Sequence, residues 1–186
     1  MDSTGVIRRL HQHRQWANAK LIAVAEQLSD EQLRRVFEMG RGSIWMSLLH
    51  LYAAEYVWLE ALTGKEDPLT PGDVRGKLPG NQERPDAISS LAELQTRWSD
   101  LDERFNQYLA ELSCESLDDI VYKVSTSSGR GQRHGTRRGD VLIHICTHAQ
   151  YTTAQVINMM RHVGVDPLPD PMLISLARQE AQGNAS

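Results

Sequence analysis

Residues 138–163 read RGDVLIHICTHAQYTTAQVINMMRHV, and their apolar positions recur at the spacing of one long helix. Within it, His144 and His148 stand four residues apart in an otherwise apolar run. Residues at this spacing project from nearly the same face of a helix. The stretch therefore predicts a helix that carries two imidazoles side by side and ends at Gly164, a residue type that often terminates helices.

Three further stretches have the periodicity of long helices, and with residues 138–163 they predict an all-α, up-and-down four-helix bundle. Serine, threonine and glycine at their ends supply the expected caps and stops. The predicted boundaries are Thr4 to about Leu28, a short turn at residues 29–32, Ser43 to Gly64, and about Ala87 to Leu112.

The connections complete a single domain over residues 1–186. Residues 65–85 are rich in proline and glycine and predict a long crossover between the second and third helices. Residues 120–124 have β character, so a minor hairpin near 120–136 is expected. A short final helix should begin with Asp170 as its cap and end near Ala181. Residues 65–85 and 113–139 are both long enough to close over a cavity.

The composition is that of an ordinary globular protein, with 40% hydrophobic and 24% charged residues. A net charge of -4 disfavours nucleic-acid binding, which requires a basic face. The one basic cluster lies in a Gly/Ser-rich segment, where a solvated loop is expected. Its members are Arg130, Arg133, Arg137 and Arg138.

Two further features bear on location. Cys114 and Cys146 form no disulfide framework and are typical of a reducing compartment. The two most apolar helices are each interrupted by polar or charged residues, so no membrane span is expected. We therefore expect a cytoplasmic protein.

A third histidine, His50, interrupts the second predicted helix. If that helix faces residues 138–163, then His50, His144 and His148 could hold a divalent metal ion. The alternative is structural: His50 would be a core histidine bonded to a backbone carbonyl, and the other two would be partly exposed. The spacing alone leaves both interpretations open.

Other reactive side chains are weaker candidates for this site. Cys146 lies about 160° around the helix from both neighbouring histidines, so a packed core residue is expected. Glu55 lies about 140° from His50 and could reach the site only from its edge. His11 and His13 are predicted on the polar side of the first helix. The sequence lacks the glutamate of an H-E-x-x-H motif, which disfavours protease chemistry.

Three separate stretches give the chain a resemblance to the DinB-like superfamily of damage-inducible, metal-dependent four-helix proteins. Their order and spacing cover most of the chain. They are Trp16-Ala17-Asn18 with residues 28–33; Gly42-Ser43-Ile44, Leu49-His50, Glu55, Trp58-Leu59 and Gly64; and His144-x-x-x-His148-x-x-Tyr151, Gln155-Val156, Arg161 and Gly164.

The resemblance implies a bundle with a long link between its second and third helices, and often a homodimer. It also implies a divalent metal, with zinc or nickel favoured over iron, held by one histidine of the second helix and two of the last long helix. Some relatives are transferases or isomerases that use a low-molecular-weight thiol. Many relatives have Tyr-His-Arg-Gly-Gln after the second histidine, whereas this chain has Thr152 in place of that histidine. We therefore assign His50, His144 and His148 as ligands, or else the site is incomplete.

Two classes of function follow. As an enzyme, the protein would join a small electrophile to a thiol, or hydrolyse a small molecule. Tyr151 and Gln155 would orient the substrate, and Glu55 is a weaker candidate for a proton acceptor. As a non-enzymatic module, it would be a dimeric or ligand-binding bundle with a degenerate metal site.

Overall fold

The structure is a computed structural model that describes residues 1–127 and 129–183. Within these residues the chain forms six α-helices, one 3₁₀ turn (Glu115–Asp118) and a two-stranded antiparallel sheet. The elements are α1 (Ser3–Ala25), α2 (Asp30–Arg34), α3 (Ile44–Leu62), α4 (Leu91–Ala110), β1 (Ile120–Val124), β2 (Arg133–Arg137), α5 (Arg138–His162) and α6 (Leu173–Gly183).

Side-chain caps fix where the helices begin. Ser43 accepts a hydrogen bond from the Met46 amide at 3.1 Å, as predicted for the start of α3. Helix α1 is capped by Asp2 rather than Thr4, because the Asp2 carboxylate reaches the Gly5 amide. Helix α4 begins after Ser90, four residues later than predicted. Both differences arise because several polar residues precede each helix and only one makes the capping bond.

Contacts along α1 set its direction relative to two neighbours. Near the start of α1, Arg8 donates to the carbonyl of Leu109 at the end of α4, so these helices run antiparallel. His11, also near the start of α1, contacts the carbonyl of Leu142 near the start of α5, so α1 and α5 run parallel. Helix α1 therefore lies between α4 and α5.

Helix α3 occupies the opposite corner of the bundle and packs on the same two helices. Trp58 near the end of α3 contacts His144 near the start of α5, so this pair is antiparallel. Glu60 pairs with Arg104 in the last half of α4, so α3 and α4 run parallel. The four long helices thus run up, down, down, up rather than in strict alternation. Residues 63–90 form the predicted long crossover, which returns the chain to the other end of the bundle before α4 begins.

The core forms where the apolar stripes of the four long helices meet. One completely buried residue from each helix illustrates this: Leu21, Leu48, Phe105 and Leu142. Burial of such side chains stabilises the fold by roughly 1.5–3 kcal/mol each. Within residues 1–127 and 129–183, no helix is both long and apolar enough to cross a membrane.

The hairpin predicted near residues 120–136 is confirmed, and its second strand extends to Arg137. The prediction that four arginines lie in a loop is therefore wrong for three of them, because Arg133 and Arg137 lie on β2 and Arg138 begins α5. Arg130 lies in the turn of the hairpin. The Val124 amide donates to the carbonyl of Glu66 in the crossover. The hairpin and the crossover are thus joined beside α3.

Candidate functional site

Three imidazole rings from two helices lie together on one side of the bundle. The rings of His50 on α3 and His148 on α5 are 5.2 Å apart between centroids and meet edge to face. The ring of His144 lies 5.9 Å from that of His148. The antiparallel packing of α3 on α5 therefore brings together the three histidines singled out in the sequence.

A hydrogen bond from the crossover fixes the orientation of His50. Its Nδ1 lies 2.8 Å from the carbonyl oxygen of Pro79. A carbonyl can only accept, so Nδ1 carries the proton and Nε2 keeps its lone pair. Metal-binding histidines are commonly oriented by such a bond on the other ring nitrogen.

Gly80 allows the crossover to approach α3 this closely. A Cβ at Gly80 would lie 2.6 Å from the Cα of His50, and its φ of +80° also favours glycine. The buried carboxylate of Asp73 holds the turn, since it accepts from the amides of Gly80 at 2.7 Å and Gln82 at 2.9 Å. This turn places the Pro79 carbonyl against the His50 ring.

The three rings open onto a cavity of about 450 Å³, which is large enough for a small organic molecule. Its walls come from α3, α5, the crossover and the hairpin, so both segments that are long enough to close over a cavity contribute to it. The lining residues besides the three histidines are Ala54, Val57, Trp58, Leu78, Pro79, Lys123, Ser125, Thr126, Ser127, His134 and Thr136.

Burial keeps the three imidazoles neutral near pH 7. It lowers the pKa of His50 and of His144, and it lowers the pKa of His148 to about 4, with a smaller contribution from the two neighbouring rings. The neutral imidazole is the form that binds a metal. The cluster therefore presents nitrogen lone pairs rather than positive charges to the cavity.

The three histidine side chains are not arranged as a complete metal site. Within the described ranges, no group of three or more His, Cys, Asp or Glu residues is arranged to hold a metal ion as it stands. The carbonyl bond of His50 and the exposure of His144 were also expected from the structural interpretation. The convergence of three rings on one cavity was expected only from the metal-site hypothesis.

Two of the other candidates lie away from the cavity. Tyr151 is 68% exposed on the outer face of α5 and does not line the cavity. Gln155 lies beside Gly40, about three helical turns along α5 from His144 and so farther from the hairpin. Thr152, which stands where many relatives have a histidine, is buried and also absent from the cavity lining. The earlier histidine pair is the one that shares a cavity with His50.

Glu55 belongs to a buried network rather than to the cavity. Its carboxylate accepts from Arg14 and, at 2.9 Å each, from Asn18 and the indole of Trp98. Burial raises the pKa of Glu55, and the Arg14 guanidinium offsets part of that effect. Helical geometry accounts for this placement, because a residue five positions after His50 faces α1 and α4 instead of α5.

Predictions for three other side chains have definite outcomes. Cys146 is buried, and burial raises its pKa to about 12, so the expected packed core residue is confirmed. The prediction that His11 and His13 lie at the surface is wrong, because both are buried. Each bonds a backbone carbonyl, of Leu142 and Pro171 respectively, and such bonds to distant elements leave no local sequence signal.

The individual hairpin residues that line the cavity were not identified from the sequence. Lys123 and His134 line it from β1 and β2. One signal was available for Lys123, because strand alternation places it on the same face as the buried Val121. Nothing comparable marks His134, since β2 (RHGTR) has no apolar alternation and forms by pairing with β1.

Comparison with known proteins agrees with this architecture. The sequence profile described as the DinB family matches residues 1–182. The chain belongs to the DinB family. It is similar to Protein DinB of Bacillus subtilis (strain 168), with 24% identity over 161 residues that span 87% of this chain and 88% of that protein.

A solved structure resembles the fold as well. YfiT from Bacillus subtilis matches with a TM-score of 0.61 and 17% identity, over 85% of this chain and 87% of that one. YfiT is described as a probable metal-dependent hydrolase with an unusual four-helix bundle topology. At this identity the likeness shows the four-helix bundle fold of this DinB family member.

Proposed function

We propose that this DinB family protein is a metal-dependent enzyme in which His50, His144 and His148 hold one divalent cation. Its reaction would join a low-molecular-weight thiol to a small electrophile bound in the adjoining cavity. Zinc or nickel suits three imidazole ligands better than a hard cation does, because imidazole is a nitrogen donor of intermediate softness.

The observation that carries the proposal is the geometry of His50 and His148. Two imidazoles bound to one tetrahedral zinc ion through 2.0–2.1 Å bonds would have ring centroids roughly 5 Å apart. The observed 5.2 Å agrees with this value. His50 also has its Nδ1 engaged by Pro79, which leaves Nε2 as the donor.

The ring of His144 would have to turn to join them. Its ring lies 5.9 Å from that of His148 and packs edge to face against Trp58 at 5.4 Å. His144 is the most exposed of the three histidines, so turning it disturbs little packing. Three protein ligands leave a coordination position for a substrate, as in catalytic zinc sites.

A cation held there would lower the pKa of a bound thiol or water towards neutrality. The surrounding residues suit a thiol, since no Asp or Glu of the described chain lines the cavity to act as a carboxylate base. A thiol that ionises on binding releases a single proton, and one acceptor is enough to take it up. His134, at the hairpin side of the cavity, is the side chain we assign to take up that proton.

Hydrolysis of a small molecule is the second candidate, favoured by the description of YfiT as a probable metal-dependent hydrolase. In that case His134 would accept the proton of the attacking water. A non-enzymatic bundle with a degenerate site is the remaining alternative, favoured by Thr152 in place of the relatives' histidine.

One assay separates these functions. Zinc- or nickel-loaded protein is mixed with monochlorobimane and either cysteine or glutathione, and thiol adduct formation is followed by fluorescence. Parallel samples contain p-nitrophenyl acetate without thiol, to detect hydrolysis. The proposal predicts metal-dependent adduct formation that is lost in His148→Ala and retained in His162→Ala, a histidine near the end of α5. Ester hydrolysis alone would favour the second candidate, and neither activity would favour the non-enzymatic alternative.

We also propose that the protein forms a homodimer in a cytoplasmic setting, as the family resemblance implies. Ile143 and Tyr151 are exposed apolar side chains of α5 that a dimer interface would cover. Sedimentation of the wild type and of Tyr151→Glu tests the dimer, and a monomeric wild type would exclude it. Cell fractionation tests the location.

A further inference from the structure

Lys123 is a charged residue at an inward-facing position of β1. Strand alternation places it on the same face as Val121, and both side chains are buried. Lys123 is only 6% exposed, yet it lines the cavity that contains the histidine cluster. Lysine is almost never fully buried unless it has a partner.

The ammonium of Lys123 has no carboxylate within ion-pair distance among the described residues. Its Nζ donates to the carbonyl of Val124 at 3.1 Å and lies 5.0 Å from the centroid of the Trp58 ring. Asp67 attracts it only from a longer range, and Asp67 itself pairs with Arg75. Burial outweighs that attraction and lowers the pKa of Lys123. A buried charge without an opposite charge is costly, so a ligand anion placed here would offset that cost.

The neighbouring groups are suited to the same anion. Thr126, Ser127 and Thr136 bring hydroxyl groups to the hairpin side of the cavity, and hydroxyls donate to anionic oxygens. No Asp or Glu of the described residues lines the cavity to repel it. On α3, Val57 and Trp58 provide apolar surface for the uncharged part of a ligand, and the Trp58 ring lies close to both Lys123 and His144.

We propose that Lys123 and these hairpin hydroxyls form an anion subsite that binds a carboxylate group of the substrate. The inference rests on the proposed function, because it takes the cavity beside the histidines as the substrate site. The carboxylate would sit on the hairpin side, and the reacting end of the molecule would point towards His144 and His148. At least one of the two reactants, the thiol or the electrophile, is therefore a small acid rather than a neutral or cationic molecule.

A purely structural role for Lys123 makes a different prediction. Inward-pointing charges can protect the edge of a small sheet from pairing with other chains. In that role, replacing Lys123 would change stability or aggregation and leave ligand preference unchanged. The decisive readout is therefore the difference in affinity between a carboxylate and its neutral amide.

The test uses 3-phenylpropionate and 3-phenylpropanamide as probes, with affinities measured by ligand-observed NMR titration. Chelator-treated protein is used first, so that the carboxylate cannot bind a metal. We expect the wild type to bind the carboxylate at least about tenfold more tightly than the amide. Lys123→Met should abolish that preference, and Lys123→Arg should retain most of it.

Lys77→Met is the matched control, because it removes the same charge from an exposed lysine that pairs with Glu83 outside the cavity. It should keep the full preference. If Lys123→Met fails to fold, Lys123→Gln is used in place of that variant, because glutamine keeps a donor for the Val124 carbonyl. Equal affinity for the two probes in the wild type, or an unchanged preference in the Lys123 variants, overturns the subsite.

His148→Ala distinguishes this failure from failure of the metal site. The variant should lose zinc binding and keep its preference for the carboxylate, because Lys123 does not depend on the cation. A wild type that binds zinc but shows no preference would refute the subsite and leave the proposed function standing. A wild type that prefers the carboxylate but binds no zinc would refute the metal centre alone.

Discussion

The buried ion pair between Arg14 and Glu55 gives a stability prediction of definite size. Both side chains are 1% exposed, and Arg14 also donates to Asp102 at 3.1 Å. We consider Glu55→Gln, which keeps the shape of the side chain and removes its charge. Asn18 and Trp98 would then face a weaker, neutral acceptor.

The expected loss is about 3 kcal/mol in the free energy of unfolding. Removing one partner of a buried pair costs about 3–5 kcal/mol, because the other charge stays buried without compensation. The lower value applies here since Asp102, whose side chain is 25% exposed, still pairs with Arg14. Arg14→Met should cost a similar amount. The double variant should cost no more than either single variant, since no uncompensated charge remains at the Arg14–Glu55 position.

Urea unfolding followed by circular dichroism measures all three free energies. Glu66→Gln is the control, because Glu66 pairs with Arg133 in an exposed position, where solvent screening leaves little stability to lose. The reasoning would be refuted if Glu55→Gln cost no more than Glu66→Gln. It would also be refuted if the double variant lost the sum of the two single losses.

Three further predictions concern the histidines. Gly80→Ala should weaken zinc affinity about 10–100-fold by displacing the carbonyl that orients His50. Gly76→Ala, at a similar φ but with open space around it, should not. The pKa of His11 falls from 6.5 to about 3 in the folded state because of burial. Between these values the unfolded state binds the extra proton, so the free energy of unfolding should decrease by roughly 2 kcal/mol from neutral pH to pH 5. Zinc at 100 times its Kd should raise the free energy of unfolding by about 2.7 kcal/mol, and a chelator should reverse this.

Each of these has a clear contrary outcome. Equal zinc affinities for the two glycine variants would show that the Pro79 bond does not orient a ligand. An unchanged acid dependence in His11→Gln would show that His11 does not carry the linkage, since glutamine keeps a donor for Leu142 and cannot ionise. Unfolding curves that do not change when zinc is added would argue against a zinc site in the folded state. Competition with a chromophoric chelator and urea titrations between pH 5 and 7 provide the data.

The helices were predictable because their signals are local. Ser43 caps α3 as expected, and the apolar stripes give the extent of each helix to within a few residues. The order of directions was not predictable, since the parallel packing of α3 and α4 depends on how residues 63–90 cross the bundle. The bounds of strand β2 were not predictable for a similar reason. Its sequence has no β pattern of its own, and the strand forms by pairing with β1.

Some features of the candidate site were likewise predictable from the sequence, and others were not. His144 and His148 could be recognised from their spacing, and His50 from its polarity within an apolar helix. The Pro79 carbonyl that orients His50 could not, since it depends on the turn held by Asp73. Lys123 reaches the cavity only because the hairpin folds against α3.

The central claim is that three imidazoles from α3 and α5 bind one divalent cation. Anomalous diffraction at the zinc absorption edge, from crystals grown with zinc, tests it most directly. The account predicts one peak per chain, about 2.0–2.1 Å from a ring nitrogen of each of His50, His144 and His148. A map with no peak at these rings, or with zinc bound only elsewhere, would contradict it.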